Sequence, residues 1–273
     1  MRLREGLNRP GRGNGDCGRV SYGLIIERKS VDNGLRRADG IKYRFWPGRY
    51  GQGLDNTQRY DRYDRNGPKV FAGEYAAQSV KTVSPDNKNN WECALAEAAM
   101  LTGFERNADV VRMASYAPLS AHVDAWQWTP NLIWFDNLRA YGTPNYYVQQ
   151  LFSRNRGDRV LPVQLSGALP MEKEQPRLYA TAARDEKAGE IILKVVNATA
   201  RPVDANLRLT GAANIARQAS ATVLTGATLA DENSLNEPRK VAPVVSSVSG
   251  VGPEFRQTFR PYSLTVLRVK ARF

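Results

Sequence analysis

The apolar and polar positions of this chain follow one period up to about residue 156 and another beyond it. The short apolar run Val70-Phe71-Ala72 predicts a strand buried on both faces. Gly73 removes a side chain where something must approach closely, and Glu74 stands at the C-terminal tip. Ahead of it, the polar segment 56–65, punctuated by Tyr60 and Tyr63, predicts a helix ended by Asn66-Gly67-Pro68. A loop of about fifteen residues rich in Ser, Pro, Asp and Asn follows the strand, the kind of segment that builds a functional rim. Trp91, Ala94, Leu95, Ala98 and Leu101 then recur at helical spacing. They predict an amphipathic outer helix, with Asn89 as N-cap three residues before Glu92 and Gly103 as the stop. The stretch 109–116, nearly continuous in apolar residues apart from Arg112, predicts the next strand. Thr143-Pro144 opens a last helix whose Tyr147, Val148 and Leu151 face inward.

Beyond residue 156 the texture becomes β. The stretches 159–165, 178–183, 190–197, 203–209, 222–224 and 262–269 read as short strands separated by polar turns such as Asp185-Glu-Lys-Ala-Gly189. Val203, Ala205, Leu207 and Leu209 alternate with polar neighbours, which marks a sheet with one wet face. The spacing predicts an antiparallel β-sandwich of jelly-roll type over 157–273. The fold class is therefore α/β plus all-β, with strand–helix units over 54–156.

Composition sets the first 53 residues apart. They hold 10 Arg and 2 Lys against 5 acids, a net charge of +7, and 11 of the 22 glycines, whereas 54–273 carries 27 basic and 22 acidic groups. Clustered positive charge binds phosphates, but these arginines are scattered and aromatic interleaving is thin, so a nucleic-acid arm is not expected. Two readings remain: a solvated, disordered tail, or a segment translated out of frame upstream of a join near Leu54, since GC-rich DNA yields Arg- and Gly-rich sequence out of frame. The start has no apolar core of a signal peptide and no run of 18 apolar residues occurs, so no membrane span is expected. If the authentic N-terminus lies elsewhere, that start is uninformative about the compartment. One histidine and two cysteines, Cys17 and Cys93, give neither a zinc site nor a disulfide framework, and Cys93 is expected as a buried free thiol in a helix. Asn197-Ala-Thr199 matches a glycosylation sequon by chance.

The candidate chemistry lies at the two strand ends. A glutamate at a rigid strand tip, followed by the uncharged Tyr75-Ala76-Ala77, suits a glycosidase nucleophile, with no competing cation to sequester it. The segment 117–130, leaving the second strand, holds His122, Asp124, Trp126, Gln127 and Trp128. Indole faces pack on the apolar face of a sugar, and Gln, His and Asp hydrogen-bond its hydroxyls.

Four blocks carry a family resemblance. They are Tyr60-Asp-Arg-Tyr-Asp-Arg-Asn-Gly-Pro-Lys-Val-Phe-Ala-Gly-Glu74-Tyr-Ala, Val110-Val-Arg-Met-Ala-Ser-Tyr-Ala-Pro-Leu119, Trp126-Gln-Trp-Thr-Pro-Asn-Leu-Ile-Trp-Phe-Asp136 and Tyr141-Gly-Thr-Pro-Asn-Tyr-Tyr-Val148. From about Leu54 to Phe273 the chain resembles the C-terminal half of the family 51 glycoside hydrolases, the α-L-arabinofuranosidases. The resemblance implies the last part of a (β/α)8 TIM barrel followed by a non-catalytic β-sandwich. It makes Glu74 the nucleophile of a retaining enzyme that removes terminal α-L-arabinofuranosyl units from oligo- or polysaccharides, with no metal or organic cofactor. His122, Trp126, Gln127 and Trp128 fall in its substrate pocket, although family members often carry asparagine near the position of His122. Such enzymes often form homo-oligomers.

The family's second carboxylate, the acid/base roughly 5 Å from the nucleophile, is a glutamate following an asparagine at an earlier strand end. The chain's one Asn-Glu pair, Asn236-Glu237, lies in the β-rich part, so the chain holds half of the catalytic pair. An eight-stranded barrel takes about 250 residues by itself. Two strand–helix units cannot close one and are expected to leave a parallel edge and apolar faces open. The chain as written is therefore expected to be an inactive part of an arabinofuranosidase. The alternative is a non-catalytic carbohydrate-binding or vestigial β-sandwich protein.

Overall fold

A parallel sheet, a buried helix and a β-sandwich are layered against one another in the computed structural model, which describes residues 22–26, 41–44, 56–80, 84–167, 171–172 and 175–272. Strands β1 (Tyr22–Ile26) and β2 (Ile41–Arg44) come from the basic N-terminal segment. The rest of that segment, and with it most of the expectation of a disordered or out-of-frame tail, lies outside the described residues, as does Cys17. Strand β2 pairs in parallel with β3 (Val70–Tyr75), which pairs in parallel with β4 (Val111–Tyr116). Helix α1 (Trp91–Arg106) connects β3 to β4.

The N-cap of α1 is Asn90, whose side chain accepts from Cys93 N at 3.0 Å, and not Asn89 as expected. The helix runs through Gly103 to Arg106. Gly103 is a point of close approach, not a stop, because a Cβ there would come within 2.1 Å of Thr57 O. Nor is α1 amphipathic: from Trp91 to Phe104 every residue except Glu92 is buried. A helix covered on all sides does not need a polar face.

The helix expected over 56–65 reduces to one 3-10 turn, Asn56–Gln58, followed by irregular turns. Its side chains are committed elsewhere. Asp61 accepts from Arg106 and Asn107, Arg65 donates to Asp109 and Asn107, and Tyr60 packs edge-on against Phe104.

After β4 the chain makes a small sheet, β5 (Ser120–His122), β6 (Ile133–Phe135) and β7 (Ala140–Gly142), of which β5 falls within the exit segment 117–130, expected as loop. Helix α2 (Pro144–Arg154) starts as expected: Thr143 caps it by accepting from Tyr146 N, Pro144 opens it, and Tyr147, Val148 and Leu151 are buried.

The sandwich begins with β8 (Arg159–Leu161) and β9 (Val163–Ser166), one expected strand that splits at Pro162 and changes sheets. The short pair β10 (Met171–Glu172) and β11 (Gln175–Pro176) follows. Then come β12 (Leu178–Asp185), β13 (Glu190–Asn197), β14 (Val203–Leu209), β15 (Gln218–Thr225), β16 (Val244–Ser249), β17 (Glu254–Phe259) and β18 (Ser263–Lys270). One sheet is antiparallel in the order β16-β15-β18-β13-β12-β8; the other runs β17-β14-β1-β9, with β1 parallel to β14. Their facing sides bury Leu178, Leu193, Leu207, Phe255, Phe259 and Leu267.

The other face of the six-stranded sheet is also dry. Tyr179, Ile192, Val196, Leu224, Leu264 and Val266 share one core with Trp91, Leu95, Met100, Phe104 and Val148. Among them sits Lys194, fully buried, with Nζ 2.5 Å from Glu105 Oε1 and 2.6 Å from Asn155 O, over the Phe152 ring. This ion pair ties β13 to the C-terminal ends of both helices.

Removing one partner of a buried pair strands the other's charge. Lys194→Ala is expected to cost about 3–5 kcal/mol by chemical denaturation. Lys194→Met combined with Glu105→Leu is expected to recover most of that loss, because no uncompensated charge is left.

Candidate functional site

Glu74 owes its direction to a break in the strand. On β3, Val70, Ala72 and Tyr75 are buried, while Phe71, Gly73 and Glu74 are half-open. Strict alternation would turn residue 74 inward with Val70 and Ala72. The register with β4 shifts between Ala72 and Tyr75, and the register with β2 shifts at Tyr43/Arg44, which faces Glu74. The irregularity hands the inward position to Tyr75 and keeps Glu74 out. The expectation that Val70 to Ala72 is buried on both faces fails at Phe71. Gly73 is not a point of close contact either: a Cβ there would meet only the Phe71 ring at 3.5 Å, and its carbonyl accepts from Ser115 Oγ at 2.6 Å.

Strand β4 is open rather than buried. Val111 is covered, but Arg112, Met113, Ala114 and Ser115 are exposed, Met113 by 58 %. No described strand pairs with its outer edge.

Behind the two strand ends lies a buried polar cluster that the sequence reading missed. Glu97, at the middle of α1 and without exposed surface, accepts from Ala77 N at 2.8 Å and lies 3.5 Å from Gln149 Nε2. The Tyr75 hydroxyl donates to Gln149 Oε1. Asn89 donates to Tyr116 Oη at 3.0 Å and to Asn145 Oδ1 at 3.2 Å, and accepts from Asn131 N at 2.9 Å. Burial pushes the Glu97 carboxyl up to about 8, against the hydrogen bonds from Ala77 and Gln149 and the nearby Asn145 amide, which favour its charged form. Burial and the neighbouring Glu97 raise the Tyr75 and Tyr116 hydroxyls, and the buried free thiol of Cys93 is raised for the same reasons. The one sequence signal was a carboxylate inside the otherwise apolar run Leu95-Ala-Glu97-Ala-Ala-Met100.

The segment after β4 leaves beside Glu74, since Ala117 N donates to Tyr75 O at 3.3 Å. Trp126, Gln127 and Trp128 are exposed together on it, Trp126 with its ring edge-on to Trp134. Asn131 holds their far end by donating to Trp128 O, and Thr129 Oγ1 donates to Asn87 O at 3.0 Å. His122 is half-buried on β5 and engaged locally. Its Nδ1 accepts from Asp124 N at 3.2 Å, its Nε2 lies 3.3 Å from Asn137 Oδ1, and its ring meets Phe135 edge-on.

Among the described residues no group of three or more His, Cys, Asp or Glu could hold a metal ion, and no helix is long and apolar enough to cross a membrane. A cleft of about 530 Å³ at the β12–β13 turn and the end of β18 is lined by Arg184, Lys187, Asn214, Lys270 and Arg272, and contains none of the candidate residues. Asn197 of the sequon is fully buried and donates to the carbonyls of Arg201 and Arg260, so it presents no acceptor amide for a glycan.

Comparison with known proteins converges on one family. A family described as the alpha-L-arabinofuranosidase C-terminal domain matches residues 73–263. An extracellular exo-alpha-L-arabinofuranosidase of Streptomyces chartreusis is 55% identical over 109 residues, 40% of this chain and 12% of that protein. Alpha-L-arabinofuranosidase 1 of Arabidopsis thaliana is 34% identical over 212 residues, 76% of this chain and 30% of its own length. The chain thus spans less than a third of these curated relatives. The solved structure of arabinose-bound MgGH51 α-L-arabinofuranosidase superposes with a TM-score of 0.76 at 30% identity, covering 85% of this chain and 37% of that one. An α-L-arabinofuranosidase from Thermotoga maritima, with a TM-score of 0.70 at 20% identity, covers 85% of this chain and 52% of its own, and shares the fold.

The buried acid gives the protein a pH signature. Between the ordinary carboxylate value of 4.5 and about 8, the folded chain holds a proton on Glu97 that the unfolded chain has released. Its contribution to stability is therefore lost progressively as pH rises through that window and is level above it. Glu97→Gln is expected to flatten this slope, read as the difference between urea midpoints at about pH 5 and about pH 8.

Proposed function

The chain belongs to the α-L-arabinofuranosidase C-terminal domain family, and from that premise we propose that it supplies the nucleophile-bearing end of a retaining arabinofuranosidase. In this reading 54–156 is the last part of a (β/α)8 barrel and 157–273 the accompanying sandwich. The observation that carries it is Glu74, turned out of the core by a register break at the end of a parallel strand, where the segment that later exposes Trp126-Gln127-Trp128 leaves the sheet through the Ala117 N–H on Tyr75 O.

The Glu74 carboxylate attacks the anomeric carbon of a terminal non-reducing α-L-arabinofuranosyl unit. The glycosidic bond breaks and an arabinosyl ester forms on Glu74. Water then cleaves the ester, so two inversions give net retention and free L-arabinose. Trp126 and Trp128 offer indole faces to the sugar ring and Gln127 an amide to its hydroxyls. His122, with both ring nitrogens engaged by Asp124 N and Asn137, orients the rim.

The second carboxylate is the weak point of any activity in the chain as written. Glu237 of the Asn236-Glu237 pair is exposed between β15 and β16 of the sandwich, not at a parallel strand end. That same feature favours the second reading, a non-catalytic carbohydrate-binding protein. The two part on leaving-group chemistry: departure of an alkoxide needs a general acid, whereas an activated phenolate leaves unaided.

With a nitrophenyl α-L-arabinofuranoside, the purified chain is expected to show no turnover above a Glu74→Gln control. With a dinitrophenyl α-L-arabinofuranoside it is expected to release a single burst of phenolate and gain the mass of one arabinosyl unit on Glu74. Added azide is expected to restart turnover by attacking the stalled ester. An adduct that persists in Glu74→Gln, or the lack of any adduct, would instead support the binding-protein reading.

A further inference from the structure

Glu97 has no part in the proposed chemistry, yet its position is unusual for a packing residue. Where a helix is covered on all sides, an alanine or leucine would fill the space without desolvating a carboxyl group. Its bonds point to another role. It accepts the N–H of Ala77, three residues past Glu74, and through Gln149 it reaches the hydroxyl of Tyr75, the residue next to Glu74. Two of the three residues that follow Glu74 are thus held by one group in the core.

We propose that Glu97 is a positioning residue for Glu74, acting through the Ala77 N–H and the Gln149–Tyr75 pair to fix the exit of β3. The proposal rests on Glu74 being the nucleophile.

The surroundings define the form in which Glu97 does this. Tyr75 faces it from β3, Tyr116 from β4 and Cys93 from its own helix, with Glu92 and Glu232 reaching Cys93. The amides of Asn145 and Gln149 face it from α2, and none of the groups acting on it is a cation. As a neutral acid, Glu97 accepts the Ala77 N–H without a charge that needs solvation. Ionised, it holds the Ala77 N–H more strongly but becomes a carboxylate among phenols and a thiol, and the water drawn in to solvate it loosens the strand exit. Glutamine has nearly the shape of the neutral acid, keeps an amide oxygen to accept the Ala77 N–H, and cannot ionise. Glu97→Gln therefore retains the positioning at every pH, whereas Glu97→Val abolishes it.

The test measures the rate of arabinosyl-ester formation on Glu74 from a dinitrophenyl arabinofuranoside across pH, in the whole chain, Glu97→Gln and Glu97→Val. Amide protection at Ala77, corrected for intrinsic exchange, and circular dichroism are read on the same samples. The wild-type rate is expected to fall as pH rises through about 8 while the dichroism stays native, and the Glu97→Gln rate to show no such fall. Glu97→Val is expected to lose Ala77 protection and to label on the order of 100-fold more slowly, as misplaced catalytic groups do. Identical pH profiles for wild type and Glu97→Gln would overturn the proposal, as would unchanged Ala77 protection in Glu97→Val. Should Glu97→Val fail to fold, the comparison of wild type with Glu97→Gln decides. If no protein labels, the nucleophile reading fails by itself, and Ala77 protection decides whether Glu97 fixes the strand exit. Loss above about pH 8 in wild type but not in Glu97→Gln supports it, and equal protection contradicts it.

Discussion

Everything in this molecule leans on one helix that has no free side. α1 lies between the parallel strands that carry Glu74 and the face of the six-stranded sheet turned away from the second sheet, and it fits because it is narrow: Ala94, Ala96, Ala98 and Ala99 let neighbouring backbones approach. Its ends are secured by the sandwich. The N–H groups of Trp91 and Glu92, which a helix leaves without internal partners, donate to the carbonyls of Asp231 and Leu229 at 2.8 Å, and Trp91 Nε1 donates to Tyr262 O. At the other end Lys194 closes on Glu105. The sandwich is therefore the floor on which the strand ends rest.

That arrangement explains how an acid can be useful in a core. Burying a carboxyl costs free energy, and Glu97 does not recover it through an ion pair. What it gains is a directed acceptor at the one backbone N–H that sets the course of the chain after Glu74. Together with the register break at Gly73 and Glu74, this makes the candidate nucleophile's geometry a product of two separate constraints, one in the sheet and one beneath it.

The parts of the fold legible in the sequence are those where one local rule decided the outcome. β14 shows full alternation because its sheet has one wet face, and α2 follows its Thr143-Pro144 start. α1 misled because its spacing was read as one apolar stripe while its whole circumference is buried, and its cap moved by one residue because Asn89 is occupied in cross-linking the strand ends. β16, Val244-Val-Ser-Ser-Val-Ser249, escaped notice as an exposed edge strand, and β17 because only Phe255 and Phe259 of its six residues are buried. For the site, Glu74 stood out as a carboxylate ending an apolar run. Glu97 did not, since its one local sign, a carboxylate within the apolar run Leu95 to Met100, is also what the wet side of an amphipathic helix would show. Its environment comes from β3, β4 and α2, each distant in sequence.

The central claim is that the strand bearing Glu74 and the sandwich share a single core through α1. Native-state hydrogen exchange tests it most directly. Amides of Ala94 to Leu101 on α1 and of Ile191 to Val196 on β13 are predicted to open with the same free energy and the same denaturant dependence, as parts of one cooperative unit. Fast exchange throughout α1 while β13 keeps full protection would contradict it, and would make the sandwich the sole stable body of the chain.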